Sequence, residues 1–230
     1  MKKYIYALTI LCSLLALALA SSPIVSAKSG GSIKKVAVVS LTVSDVAGSV
    51  RAGSIGTTPV SKLIDSSVNS MLSDAEKKLG GKWTVVKASG FIDNAGYRKA
   101  GVKKTLTVYV PKVNGREMPV FTQVSKEIKG GKIDPQKAKD LCRALNVDGV
   151  VLIFSEWASK TGGMVPTTKA MTKNILTVWD RNGDQVIKER VDMVGKRSLG
   201  FSGVKAVNKD TIGEWRDAYS RALDKIVSSL

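Results

Sequence analysis

The segment from residue 134 to residue 154 constrains the fold of this chain more than any other. Asp134 and Pro135 are typical of a helix start, and Asn146 can end that helix. Its apolar residues recur at helical spacing on one face: Ala138, Leu141, Cys142 and Leu145. The run GVVLIF at residues 149–154 then predicts a strand buried on both faces. A helix followed at once by such a strand implies a crossover connection and a sheet covered by helices.

The N-terminal half shows the same alternation of strand and helix signals. The β-branched run Lys35–Val43 predicts a buried strand. Thr58 and Pro59 suit the start of an amphipathic helix that Gly80 ends. Trp83–Ala88 predicts the next strand. These two strands therefore also need a helical crossover between them.

Residues 89–133 do not follow this alternation, and we treat them as an insertion. Leu106–Val110 resembles a strand and Asn114-Gly115 a hairpin turn. Pro111 and Pro119 limit both arms to edge strands or an extended loop.

The C-terminal part predicts a hairpin and a closing helix. Asn174–Asp180 and Gln185–Val194 flank Asn182-Gly183, the strongest hairpin signal in the chain. A helix capped by Asp210 is predicted from about Thr211. The order β-α-β-(insertion)-α-β-β-β-α predicts an α/β (α+β) fold, in which a mixed β-sheet of about five strands has helices packed on it.

Residues 1–27 predict a secretory signal peptide, so that residues 28–230 would form a single α/β domain. A basic start precedes the apolar run Tyr4–Ala20, and cleavage after Ala27 or after Ala20 fits the small residues there. The run is short for a membrane anchor, and no later segment predicts a transmembrane span. We therefore expect a bacterial protein that is periplasmic or secreted.

Composition excludes several chemistries. The chain has no His, which removes Ser-His-Asp and Cys-His catalysis and every His-ligated metal site. Two Cys cannot form a Cys-rich zinc site, and we expect Cys142 to be a small core residue. No nucleotide-binding glycine motif occurs, so neither a metal nor a cofactor is expected.

Three short matches to functional motifs have simpler explanations. Ser32-Ile33-Lys34-Lys35 and Lys160-Thr161-Gly162 match parts of penicillin-binding serine enzymes, but the second falls in a predicted glycine-rich loop over residues 160–168. Asp180, Asn182 and Asp184 have calcium-loop spacing, yet a hairpin turn with Arg181 paired to Asp184 explains them.

The third match is Glu156, at the end of the buried strand, where α/β proteins often place site residues. Without a partner carboxylate it predicts a residue at the solvent-facing rim.

The excess of basic over acidic residues says more about function than these motifs do. Between residues 82 and 139 there are 13 Lys and Arg against four Asp and Glu, a net charge of +9. Such a field attracts anionic partners, or serves only to keep the surface solvated. Export argues against nucleic acid, so anionic lipid headgroups or cell-wall polymers fit better. The candidate contact residues are Arg98, Lys99, Lys103, Lys104, Lys112 and Arg116.

The helix-to-strand unit Ala138–Trp157 resembles that of a group of bacterial envelope proteins. The group comprises the TolB N-terminal domain, the CsgG curli-secretion family and the periplasmic activators of penicillin-binding proteins. Asp180 and Gly183 match their D-x-x-G hairpin turn, and the opening strand and the helix from Pro59 fit the same order. The resemblance implies a binding or assembly module without catalytic residues. The long basic insertion and the lack of a lipid-anchoring Cys depart from it.

The sequence therefore leaves three functional hypotheses. The first is an exported, non-enzymatic envelope protein that binds a protein partner or an anionic surface. The second is an exported hydrolase that uses carboxylates alone, with Glu156 as its candidate residue. The third is a subunit of an oligomer or filament that pairs through edges around residues 106–121.

Overall fold

A computed structural model describes residues 33–45, 59–201 and 205–230. The predicted leader, Ser32, and the Thr58 cap lie outside these residues. In the part that is described, no helix is both long enough and apolar enough to cross a membrane.

A mixed five-stranded sheet forms the centre of the fold, as predicted. Its order is β2-β1-β5-β6-β7, in which β1 pairs in parallel with β2 and β5, and the β5-β6 and β6-β7 pairs are antiparallel. The strands are β1 (Lys35–Asp45), β2 (Thr84–Val86), β5 (Gly149–Gly162), β6 (Thr167–Asp180) and β7 (Gln185–Phe201). A second, two-stranded sheet pairs β3 (Lys112–Val113) with β4 (Arg116–Glu117).

Helices cover both faces of the five-stranded sheet. They are α1 (Val60–Leu79), α2 (Ala95–Ala100), α3 (Ser125–Lys129), α4 (Pro135–Leu145) and α5 (Gly213–Ser229), with a 3-10 turn at Ala88–Gly90. On β5, Trp157 stacks on Trp215 of α5, whereas the neighbouring Glu156 contacts Lys129 of α3. Successive strand residues point to opposite faces, so α5 and α3 lie on opposite sides of the sheet.

The helix-to-strand unit forms as predicted. The Asp134 carboxylate accepts hydrogen bonds from the backbone N–H groups of Gln136 (2.9 Å) and Lys137 (3.1 Å), which caps α4. Asn146 ends the helix in the left-handed conformation, at a φ of 49°. The Asn114-Gly115 turn between β3 and β4 is confirmed as well, with both residues at positive φ.

The predicted strand Leu106–Val110 is wrong. Only Tyr109 pairs, in an isolated bridge whose backbone N–H donates to the Val43 carbonyl at 2.8 Å. The N–H of Val108 donates to the Leu106 carbonyl at 2.9 Å, so a tight turn bends the chain where a strand would have to extend. The edge that this segment would offer to an assembly is therefore reduced to the short β3–β4 hairpin.

The ends of three other elements also differ from the prediction. β2 is only three residues long. The loop predicted over residues 160–168 shrinks to Gly163–Pro166, because Thr161 and Thr168 join their hydroxyl groups across β5 and β6 at 2.9 Å.

Asp210 does not cap the last helix, which begins at Gly213. The side chain of Asn208 instead accepts from the backbone N–H groups of Asp210 (2.9 Å) and Thr211 (3.0 Å). This local turn competes with the helical conformation at those two residues.

Two glycines in left-handed turns give a matched test of the packing between the β6–β7 turn and α4. Gly183 has a φ of +76°, and an added Cβ would lie 2.5 Å from the Pro135 carbonyl oxygen. Gly115 has a φ of +78° with nothing within 4 Å of such a Cβ. Gly115→Ala should therefore cost about 1–2 kcal/mol of unfolding free energy from backbone strain alone.

Gly183→Ala should cost about 2–4 kcal/mol, because the steric clash adds to the strain. Urea denaturation of the two variants and the parent measures both values. Equal losses would show that the turn is not held against α4.

Candidate functional site: a groove lined by lysines

A groove of about 1260 Å³ lies beside the edge strand β2. Its walls come from the C-terminal part of α1, the strand β2 with the 3-10 turn after it, and the start of the β3–β4 hairpin. The apolar side chains Leu72, Trp83, Val85, Pro111 and Val113 line it. The fold creates this groove because β2 is short and has no strand beyond it in the described sheet.

Five exposed lysines surround this groove. They reach it from four separate stretches of chain, and none forms an ion pair with a residue that the structure describes. They are Lys34, Lys77, Lys82, Lys87 and Lys112. We call this set the lysine groove.

One carboxylate, that of Glu76, lines the lysine groove. It is already hydrogen-bonded to the backbone. Its Oε1 accepts the backbone N–H of Ala88 at 2.7 Å. Burial raises the pKa of Glu76, although the Ala88 N–H and the charge of Lys87 oppose that shift. The carboxylate thus holds the 3-10 turn against α1, and the lysines keep a net charge of +4 around the cavity.

Of the six contact residues predicted from the sequence, the structure places only Lys112 in the lysine groove. The other five are exposed around α2 and the β3–β4 hairpin, and several already have partners. Arg116 pairs with Asp93 at 2.8 Å, and Lys104 pairs with Glu117 at 3.2 Å. The Arg98 guanidinium donates to the Glu117 carbonyl at 2.8 Å, whereas Lys99 and Lys103 are exposed side chains on that surface.

The other four groove lysines are not among the predicted contact residues. Lys82 and Lys87 lie within the basic stretch of residues 82–139, whereas Lys34 and Lys77 lie outside it. Lys34 precedes β1, and Lys77 lies in the last turn of α1. Their one sequence signal is that each borders an end of a predicted element. Which ends meet depends on the parallel pairing of β1 with β2, which the charge pattern alone does not reveal.

Glu156 is held by two lysines rather than exposed at a rim. Its side chain is 12% exposed, and its carboxylate lies 2.7 Å from the Lys173 Nζ and 3.4 Å from the Lys129 Nζ. Burial alone would raise the pKa of Glu156, but the hydrogen bonds and charges of Lys173 and Lys129 outweigh it and lower the pKa. Such a carboxylate stays ionised and links α3 to the sheet, which suits it poorly to donate a proton.

The remaining motif matches are structural. Lys160-Thr161-Gly162 lies on the end of β5 and not in a loop, which corrects the prediction. Even so, Lys35 begins the strand beside the start of β5, about 40 Å from Thr161 along that strand. Parts of the two motifs therefore lie too far apart to share a site.

The calcium-like spacing belongs to a hairpin turn, as predicted. The Asp180 carboxylate accepts from the backbone N–H groups of Asn182 (2.8 Å) and Asp184 (3.0 Å). The predicted Arg181–Asp184 pair is wrong: Arg181 lies 3.2 Å from Asp148 and donates to the Val147 carbonyl. Tertiary packing against the end of α4 offers Arg181 a closer partner than its own turn does.

Cys142 is a buried core residue, as predicted, and burial raises the pKa of its thiol to about 11. Within the described ranges, no three His, Cys, Asp or Glu side chains come together in a way that could hold a metal ion.

Comparisons with known proteins add little to this geometry. No protein-family model matches the chain, and no curated protein matches it. Two solved structures align over most of their length at 13% identity each. One is a lipoprotein from Neisseria meningitidis, which covers 85% of this chain and 99% of its own at a TM-score of 0.39. The other is a hypothetical protein from Chlamydia trachomatis, which covers 86% and 95% at a TM-score of 0.40.

The pH dependence of stability tests the Glu156 cluster. The lowered folded pKa means that ionised Glu156 stabilises the fold above the unfolded Glu value of about 4.3. That contribution is lost as the pH falls through the folded value. Glu156→Gln should therefore cost about 1–2 kcal/mol at pH 7, and this cost should shrink as the pH falls below the unfolded value.

Two lysine variants calibrate this result at neutral pH. Lys173→Met removes the shorter contact and should cost more unfolding free energy than Lys129→Met, which removes the longer one. Chemical denaturation across the pH range measures all three variants. A cost of Glu156→Gln that does not change with pH would contradict the charge pairing.

Proposed function

We propose that this chain is an exported, non-enzymatic binding protein of the bacterial envelope whose lysine groove takes an anionic polymer segment. One observation carries the proposal: five exposed lysines, three of them within residues 77–87, meet around one open groove without ion-pair partners among the described residues. Like charges brought together repel one another, and an anion in the groove would relieve that repulsion.

The shape and chemistry of the groove favour an extended ligand. The cavity is open and runs along a strand edge, and its apolar lining includes the half-buried ring of Trp83. Lysine ammonium groups are compact charges on flexible stems, which suits phosphates or carboxylates spaced along a polymer better than one rigid small molecule. Anionic cell-wall polymers have this chemistry.

A binding role fits the site better than the rival carboxylate-dependent hydrolase. The two carboxylates nearest to candidate chemistry are both engaged: Glu76 by the Ala88 N–H, and Glu156 by Lys173 and Lys129. A general acid needs a protonated carboxyl at working pH, and the lowered pKa of Glu156 opposes this. The predicted leader and the resemblance to envelope binding modules support the same class of function.

Binding of a long-chain polyphosphate, followed by fluorescence, tests the proposal. The triple variant Lys82→Glu, Lys87→Glu, Lys112→Glu should bind at least about tenfold more weakly, since each reversed charge costs several tenths of a kcal/mol or more. Raising the salt from about 0.05 M to about 0.2 M should weaken the parent more than this variant. Trp83→Phe should remove the part of the fluorescence change that comes from the groove.

The control is the triple variant Lys62→Glu, Lys188→Glu, Lys225→Glu. It changes the net charge equally at exposed lysines outside the groove and should keep most of the affinity. Equal losses in the two triple variants would overturn the proposal. The groove lysines would then only protect the short edge strand from pairing with another chain. Tighter groove binding of polyglutamate than of polyphosphate would point instead to an acidic protein segment.

A further inference from the structure

Exposed apolar side chains gather at one end of the sheet, far from the lysine groove. Among the described residues, four large apolar side chains are exposed, and three of them share this end: Met164 (103%), Val165 (61%) and Phe201 (54%). Met164 and Val165 form the turn between β5 and β6. Phe201 ends β7 opposite Thr167, which begins β6, so all three lie at the same end of these strands. We call them the apolar tip.

The apolar tip lies beyond the described end of β1. Among the described residues, Trp157 is the last residue of β5 that pairs with β1, and it lies opposite Asp45. Met164 is seven residues farther along, or about 23 Å in an extended strand. The tip therefore lies at the end of the three antiparallel strands β5, β6 and β7, beyond the described part of β1.

The parts of these strands nearest to the tip are basic. Residues 157–179 and 193–201 contain no Asp or Glu. Lys160 and Lys169 stand directly opposite each other in the β5–β6 register, and like charges in such a position destabilise a sheet. Lys196 and Arg197 on β7 add two exposed cations, with Glu214 of α5 lying 3.7 Å from Arg197.

We propose that the apolar tip docks into the surface of an anionic lipid bilayer. Met164, Val165 and Phe201 enter the interfacial region, while Lys160, Lys169 and Lys196 meet the phosphates of the headgroups. An apolar end with lysines behind it complements that surface in both polarity and charge. The hairpin only touches the membrane and does not cross it.

A bilayer fits this end better than a folded protein partner does. A stable protein interface buries roughly 800 Å² on each side, usually over a broad surface. Three side chains at the end of a hairpin offer much less area. A lipid surface needs no matching shape, and a few inserted side chains with basic neighbours suffice for reversible adsorption.

Co-sedimentation with vesicles tests the proposal. The protein should adsorb to vesicles of phosphatidylcholine mixed with phosphatidylglycerol, and much more weakly to pure phosphatidylcholine. The double variant Met164→Ser, Phe201→Ser should reduce adsorption at least about tenfold, because two large apolar groups no longer leave water. The matched control is Val124→Ser, which removes an apolar side chain of similar exposure (53%) at the start of α3 and should leave adsorption unchanged.

Charge reversal at Lys160 and Lys169 tests the contribution of the basic residues behind the tip. Lys160→Glu with Lys169→Glu should abolish the preference for phosphatidylglycerol while leaving the fold intact, since the two side chains make no ion pair with a described residue. Adsorption that survives both double variants would overturn the proposal.

A fluorophore at the tip separates membrane contact from other binding. Met164→Cys in a Cys12→Ser background offers one accessible thiol, because Cys142 is only 1% exposed. An environment-sensitive dye there should shift to the blue on anionic vesicles, and the same dye at Val124→Cys should not. The groove variant Lys82→Glu, Lys87→Glu, Lys112→Glu should keep the shift, so that failure of the groove proposal and failure of this one remain distinct.

Two results with the tip fluorophore would overturn the proposal. The first is the absence of any shift on anionic vesicles. The second is a shift without vesicles that grows with protein concentration, which would assign the apolar tip to self-association.

Discussion

The position of β1 between two parallel neighbours is the constraint on which the rest of the structure depends. Parallel neighbours cannot be joined by tight turns, so the chain must cross the sheet once before β2 and again before β5. The side chains of Val36–Val39 are fully buried as a result. The first crossover leaves β2 as a short outer strand with a groove beside it. The second brings in β5, which continues past the described end of β1 to the apolar tip.

Buried hydrogen bonds fix the long second crossover, which has little regular structure of its own. The Tyr97 hydroxyl donates to the Val39 carbonyl at 2.7 Å, and burial raises the pKa of that hydroxyl. Near the other end, the Gly131 carbonyl accepts from the Thr177 hydroxyl at 2.6 Å and from the Trp179 indole at 3.2 Å. Unpaired polar groups at these depths would be costly, so the bonds hold the segment in one place. The β3–β4 hairpin is thereby set beside α1, with Lys112 at the groove.

Sequence patterns predicted the helix ends and turns that depend on neighbouring residues. They missed the contacts that form between residues far apart in the chain. Asp134, Asn146 and Asn114-Gly115 act within a few residues of themselves, and the structure confirms the cap, the helix end and the turn. Arg181 pairs with Asp148, more than thirty positions away, and not with Asp184 of its own turn. The lysine groove also depends on residues far apart in the chain, since Lys34 and Lys112 meet only after β1, β2 and the β3–β4 hairpin are placed. A charge count along the chain therefore predicted a basic surface but not which lysines meet at the groove, where Lys112 is the one predicted contact residue.

The lysine groove and the apolar tip lie at opposite ends of the central strands. This separation would allow both proposed functions at the same time. Lys34, at the groove, lies beside Asp148 just before β5 begins, because its backbone N–H donates to that carboxylate. Met164 follows sixteen residues later, so the two ends are up to about 50 Å apart along an extended chain. A molecule resting on a bilayer by its tip would hold the groove well beyond a Debye length of about 8 Å, outside the field of the lipid charges. Each basic surface can then bind its own anion without competing for the other, which one continuous basic patch could not do.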